Sequence, residues 1–168
     1  LTGSADNDTI NGVLQVATQA AATGTTTSPG DVVNGGDGTD TFNLSVAGDA
    51  GGTFTLQAVQ LNNVENLLVT NFDINAAATT IDTALMTGVT KVGLGASSAT
   101  GGTTFTGMTA IKDAQMANGS ADLTLTYSAG TTGTADVQNL SLSAVSAGTF
   151  TANGLETVAV TNSLTANK

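Results

Sequence analysis

The segment Gly35-Gly36-Asp37-Gly38-Thr39-Asp40-Thr41-Phe42-Asn43 places three glycines and two aspartates within six residues, followed closely by a large apolar side chain. It fits the nonapeptide G-G-x-G-x-D-x-U-x at each specified position, with Phe42 as U. Glycines admit the tight and left-handed conformations that turn backbone carbonyls inward, and an Asp at position six adds a hard anionic oxygen. The chemistry expected of such a turn is cation binding. Ca2+ accepts six to eight oxygens in flexible geometry, whereas Mg2+ demands a strict octahedron and keeps its waters.

Two neighbouring stretches carry the same pattern in weaker form. Residues Gly3-Ser4-Ala5-Asp6-Asn7-Asp8-Thr9-Ile10-Asn11 keep the first Gly, the Asp at position six and the apolar residue at position eight. Gly30-Asp31-Val32-Val33-Asn34 supplies the second half of another copy, with Asp31 nine residues ahead of Asp40. The predicted metal-binding set is therefore Gly3, Asp6, Asp8, Asp31, Gly36, Asp37, Gly38 and Asp40. If turns alternate between two sides of a roll, Asp8 pairs with Asp40 on one side and Asp31 lies on the other, without a complete partner. Asp6 and Asp37 occupy variable positions of the motif, where they add either ligands or only negative field.

These turns need short strands to position them. In each copy the x-U-x triplet is a three-residue strand whose U side chain packs inward. The rest of the chain is rich in Thr, Val and Ile, which crowd a helix but fit a pleated surface, so an all-β fold is expected. A template apolar-x-x-apolar-x-apolar recurs, starting at Val64, Val89, Met108, Val137 and Leu155, at intervals of 25, 19, 29 and 18 residues. Periods of this length belong to solenoids, in which no coil buries its apolar edge alone. Residues 64–71 (VENLLVTN) and 155–162 (LETVAVTN) are closely alike. Short segments at 53–56, 123–127 and 149–152 are candidates for an opposite wall, and Asn71 and Asn162 for side-chain ladders. The expected architecture is a parallel β-solenoid or β-roll with Gly, Asn and Asp turns; a β-sandwich is the alternative. Residues 1–43 form the calcium-binding roll and residues 44–168 an irregular solenoid, with a soft boundary near Leu44. Residues 12–29 read as an inserted loop, with room for one helical turn around Gln15–Ala21.

Composition narrows the function. The chain has 13 Asp and Glu against three Lys and Arg, no His and a net charge of -10. Phosphate backbones need cations to displace their counterions, so nucleic acid is nearly excluded as a partner. No apolar run is long enough to insert in a membrane. Without His or Cys there is no imidazole base or ligand and no thiolate nucleophile, so an enzyme is not expected. Lys112 beside Asp113 reads as a surface ion pair, Glu65 and Glu156 as solvent-facing corner residues with cation binding as the alternative, and Tyr127 as strand packing. The start at Leu1 and the end at Lys168 suggest a fragment or processed product.

With its segments LTGSADNDTI, VNGGDGTDTF and NVENLLV, the cysteine-free chain resembles RTX (repeats-in-toxin) bacterial surface-layer proteins. The motif resemblance covers residues 1–43; over 44–168 it rests on composition and the VEN and LET coils. It implies calcium-dependent folding after unfolded export through a one-step (type I) secretion channel. It also implies calcium-dependent self-assembly into a lattice on the bacterial cell surface, with surface polysaccharide as a candidate anchor. An adhesin or matrix fibre, or the calcium-binding scaffold of a secreted hydrolase, are alternatives of the same physics.

Overall fold

A computed structural model of the chain describes residues 1–14, 26–46, 55–56, 59–74 and 77–163. The alternation of apolar and polar residues resolves into strands, and there is no helix among the described residues. In chain order they are β1 (Thr9–Leu14), β2 (Val32–Asn34), β3 (Thr41–Val46), β4 (Thr55–Leu56), β5 (Gln60–Asn62), β6 (Asn66–Asn71) and β7 (Thr79–Asp82), followed by β8 (Lys91–Ser97), β9 (Thr103–Met108), β10 (Asp113–Gly119), β11 (Leu123–Tyr127), β12 (Val137–Val145), β13 (Phe150–Ala152) and β14 (Thr157–Asn162). They form a seven-stranded sheet in the order β1-β3-β6-β8-β10-β12-β14, a five-stranded sheet β13-β11-β9-β7-β4 and a pair β2-β5.

All strand pairings are parallel. A sandwich of antiparallel sheets does not provide this, whereas a β-helix or solenoid-like fold does. Of the opposite-wall segments, 55–56, 123–127 and 150–152 lie in the five-stranded sheet, which shares one buried core with the larger sheet; residues 53–54 lie outside the described residues. The soft boundary near Leu44 falls inside β3, which pairs with β1 on one side and β6 on the other. Within the predicted loop 12–29, residues 12–14 continue β1, and Thr26 and Thr27 both donate backbone N–H to Val13 O. The helical turn expected around Gln15–Ala21 lies outside the described residues.

The core is a set of in-register rows. Ile10, Phe42, Leu67, Val92, Ala114, Leu140 and Val160 align across the large sheet, as do Gly12, Leu44, Val69, Leu94, Met116, Leu142 and Asn162. The rows are buried through their middle members and open at β14, whose six residues are all exposed. The recurrent template holds at Val64 and Val89, both buried; the copy at Val137 keeps its register through Leu140 and Leu142, but Val137 itself is exposed and Gln138 beside it is buried, and two further frames differ. The third copy begins at Ile111, with Ala114 and Met116, while Met108 ends β9 in the other sheet. In the last copy Val158 aligns with Gln138, and Val160 rather than Val158 with Leu140. A slip of two residues returns every side chain to the same face, so apolar spacing by itself does not choose between such frames.

A register shift between Val69 and Thr70 inserts Gly95 opposite them and brings Asn71 level with Ser97. The Asn71 side chain then turns inward and donates to Thr79 Oγ1, Gly102 O and Thr103 Oγ1, each at 3.1 Å. It ties β6 to the five-stranded sheet instead of stacking on another asparagine.

Candidate metal centre

Three turns lead from the β2-β5 pair and the bridge of Thr2 to Asn34 into the large sheet, and they stack: 3–8 before β1, 35–40 between β2 and β3, and 63–65 between β5 and β6. Backbone bonds set the stack, with Gly3 N donating to Asn34 O (2.7 Å) and Gly35 N to Asn62 O (2.9 Å). Such close approach requires small residues. A Cβ on Gly36 would lie 1.9 Å from Ser4 O, and one on Gly38 would lie 2.9 Å from Asp6 O. Gly36 (φ +104°) and Gly38 (φ +117°) also occupy the left-handed half of backbone space, where L side chains are strained.

The carboxylates form a relay along this stack. Asp8 N donates to Asp40 Oδ1 at 2.7 Å, and Asp40 N donates to Glu65 Oε2 at 2.7 Å. The Asp8 carboxylate closes its own turn, since its Oδ2 accepts from Ser4 N (2.6 Å) and Ser4 Oγ (3.0 Å). Asp8 and Asp40 thus meet through the Asp8 backbone N–H, while the Asp8 carboxylate itself is turned to Ser4. Glu65, expected to be a solvent-facing corner residue, is half-buried and takes part in the relay. Glu156 accepts in the same way from Asp136 N at 2.8 Å but is exposed, as expected of a solvent-facing corner residue.

Asp40 is the exception within the stack. It is 0% exposed, and its Oδ2 is buried without a hydrogen-bond partner. A Cβ built on Gly35 would lie 2.2 Å from that oxygen and 1.9 Å from Asn63 O, so both oxygens crowd the spot that glycine leaves empty. Asn63 has φ +50°, and its side-chain amide donates to Asn34 Oδ1 at 3.0 Å. A buried carboxylate oxygen facing the same hollow as a carbonyl oxygen, with no hydrogen-bond partner, lacks the compensation that buried charge requires. The donor chemistry suits a hard cation, since both groups are oxygens of the kind Ca2+ accepts. Among the described residues no three acidic side chains gather around one point, so backbone carbonyls and water would complete the shell.

The remaining predicted residues separate from this centre. Asp31 sits just before β2, where its Oδ2 accepts Ser28 N at 2.6 Å and its carbonyl accepts Gln60 N at 2.9 Å. It lines a cavity with Leu1, Ile10, Val33 and Phe42 rather than joining Asp40. Asp6 and Asp37 are exposed at the turn tips. Gly3 packs beneath the Asp8 carboxylate, where a Cβ would lie 2.6 Å from Oδ2 and 2.1 Å from Gly35 O. Asn63 and Glu65 lie outside the glycine-aspartate motif, and cation binding at Glu65 is only the alternative reading of its sequence position. The available signal was spacing, because Glu65 follows Asp40 by 25 residues, the same interval as Val64 to Val89.

A second polar cluster lies further along the stack. Tyr127 OH donates to Gln138 Oε1 at 2.5 Å, and Gln138, fully buried, donates through Nε2 to Lys112 O at 2.6 Å. Lys112 Nζ donates to Val89 O rather than pairing with Asp113. Burial pushes the Lys112 ammonium below its ordinary value and the Tyr127 hydroxyl above its own, the latter partly offset by the Lys112 backbone. The cluster satisfies the polar atoms that β11 and β12 bring inside.

No protein-family model matches the chain, and neither a curated protein nor a solved structure matches it at a significant level.

Proposed function

We propose that the chain is a calcium-stabilised parallel β-solenoid segment of a structural protein of the bacterial cell surface, of the self-assembling surface-layer kind. The observation that carries the calcium part is the fully buried Asp40 carboxylate with an unpartnered oxygen, at turns whose glycines bring backbone carbonyls close to it. Support for a structural role comes from the parallel sheets and in-register rows, which let successive coils add to one continuous core. The acidic charge of -10 favours cation binding. Secretion, lattice assembly and a polysaccharide anchor rest on the RTX-like segments. Folding coupled to a metal that is scarce inside the cell and abundant outside gives export a direction.

Two measurements test this. Thermal melting followed by circular dichroism is expected to show a higher Tm in calcium than in chelator, and identical curves would remove calcium from the account. Electron microscopy of the protein in calcium is expected to show ordered two-dimensional sheets; filaments alone would favour the matrix-fibre alternative.

A further inference from the structure

We infer that the calcium ion is held one step further along the stack than the glycine-aspartate motif implies, by Asp40 Oδ2, the Asn63 carbonyl and the Glu65 carboxylate. Asp8 is then a hydrogen-bonded neighbour of the site and not a ligand. This rests on the calcium-binding reading above and assigns ligands outside the motif-bearing residues 1–43.

The two glycine hollows of the stack have the same construction. Each is flanked by the aspartate of its own turn and by a backbone carbonyl of the next turn: Asp8 Oδ2 and Gly35 O at Gly3, Asp40 Oδ2 and Asn63 O at Gly35. They differ in what the carboxylate oxygen already has. Asp8 Oδ2 takes two donors from Ser4, whereas the matching position in the second turn is Gly36, which has no hydroxyl and donates its N–H to Asn34 Oδ1 at 3.3 Å. Asp40 Oδ2 is left with none. The missing positive charge is therefore at the second hollow, where a cation would offset both the buried carboxylate and the carbonyl against it.

Glu65 is placed to complete this site. Its Oε2 is held against the Asp40 backbone by the 2.7 Å bond from Asp40 N, and its backbone N donates to Asp40 O at 3.2 Å. The first bond fixes the carboxylate at the Asp40 backbone, and Oε1 is the oxygen we assign to the ion. Two carboxylates and a carbonyl, supplemented by water, make a hard oxygen donor set of the kind Ca2+ takes.

The experiment is calorimetric titration of the chelator-stripped full chain with CaCl2, alongside thermal melting in chelator. Asp40→Asn is expected to weaken binding by more than about 100-fold, beyond the range for outer-shell partners, and Glu65→Gln by at least about tenfold. Asp8→Asn is expected to weaken it less than Glu65→Gln does. In chelator Asp40→Asn is expected to melt no lower than wild type, because its amide can donate to Asn63 O. Glu65→Gln binding like wild type while Asp8→Asn fails would seat the ion between turns 3–8 and 35–40; that overturns the inference and leaves the calcium reading standing. Unchanged binding by Asp40→Asn also overturns it. No calcium binding by wild type would remove the reading beneath it as well.

Discussion

At Gly35 there is no room for a methyl group: a Cβ would sit 1.9 Å from Asn63 O and 2.8 Å from Asp40 Cβ, and backbone cannot give way as a flexible side chain does. Gly35→Ala is therefore expected to cost about 3 kcal/mol, the upper range for overpacking, in urea denaturation. Gly30→Ala makes a useful contrast, since its φ is +91° with nothing within 4 Å, and it is expected to lose only about 1–2 kcal/mol of backbone strain. Equal losses would mean that the turns do not pack as closely as described. Tyr127 and Lys112 give opposite alkaline behaviour. Because burial raises Tyr127 above 10.0, its contribution is present below that pH and is lost as pH rises through its folded value. Lys112 is lowered from 10.5, so its charged form is disfavoured in the fold and stability is recovered as pH rises from the folded value toward 10.5. Relative to wild type, Tyr127→Phe should therefore gain stability as pH rises above 10.0, and Lys112→Met should lose ground on approach to 10.5, as read by denaturation across that range. At neutral pH Tyr127→Phe leaves Gln138 Oε1 buried without its donor and is expected to cost about 1–3 kcal/mol.

Among the strands, the position of a residue along a row decides its worth. Leu94 is buried between Val69 and Met116, so Leu94→Ala should leave a cavity that costs about 2–5 kcal/mol. Val160 occupies the corresponding face of β14 but is 57% exposed, and Val160→Ala should change stability by less than about 0.5 kcal/mol. Comparable losses at the two sites, read from urea midpoints, would show that β14 is covered in solution. Strand identity was legible because alternation is a local property: Asn66–Asn71 and Leu123–Tyr127 both announce themselves in the sequence. Their frame was less so. Ala114 is too small to mark an apolar position, and the Val158 and Val160 pair fits two registers that differ by a slip of two. The Gly95 insertion that turns Asn71 inward has no local signature either, since its effect depends on the strand lying beside it.

Across the whole molecule, parallel rows with nearest-neighbour contacts imply stability that is partly local to each stretch of stack. If the ion joins the turns at Asp40 and Glu65, chelation should first expose the amides of β1, β3 and β6 and only later those of β8 and β10. Hydrogen exchange read by mass spectrometry checks this, and uniform loss along the chain would mean one cooperative unit without a metal-dependent segment. The glycine-aspartate turns, the strand-rich composition and the solenoid-sized period were determined by the sequence alone, because glycine freedom, side-chain alternation and charge are properties of neighbouring residues. Which oxygens meet was decided only by the tertiary structure. Asp40 lies 25 residues from Glu65 and 32 from Asp8, and the hydrogen bonds joining them exist only once the coils stack in one register. The same stacking buries Asp40 Oδ2 without a partner, because burial and the lack of a donor depend on what the neighbouring turn places against that oxygen.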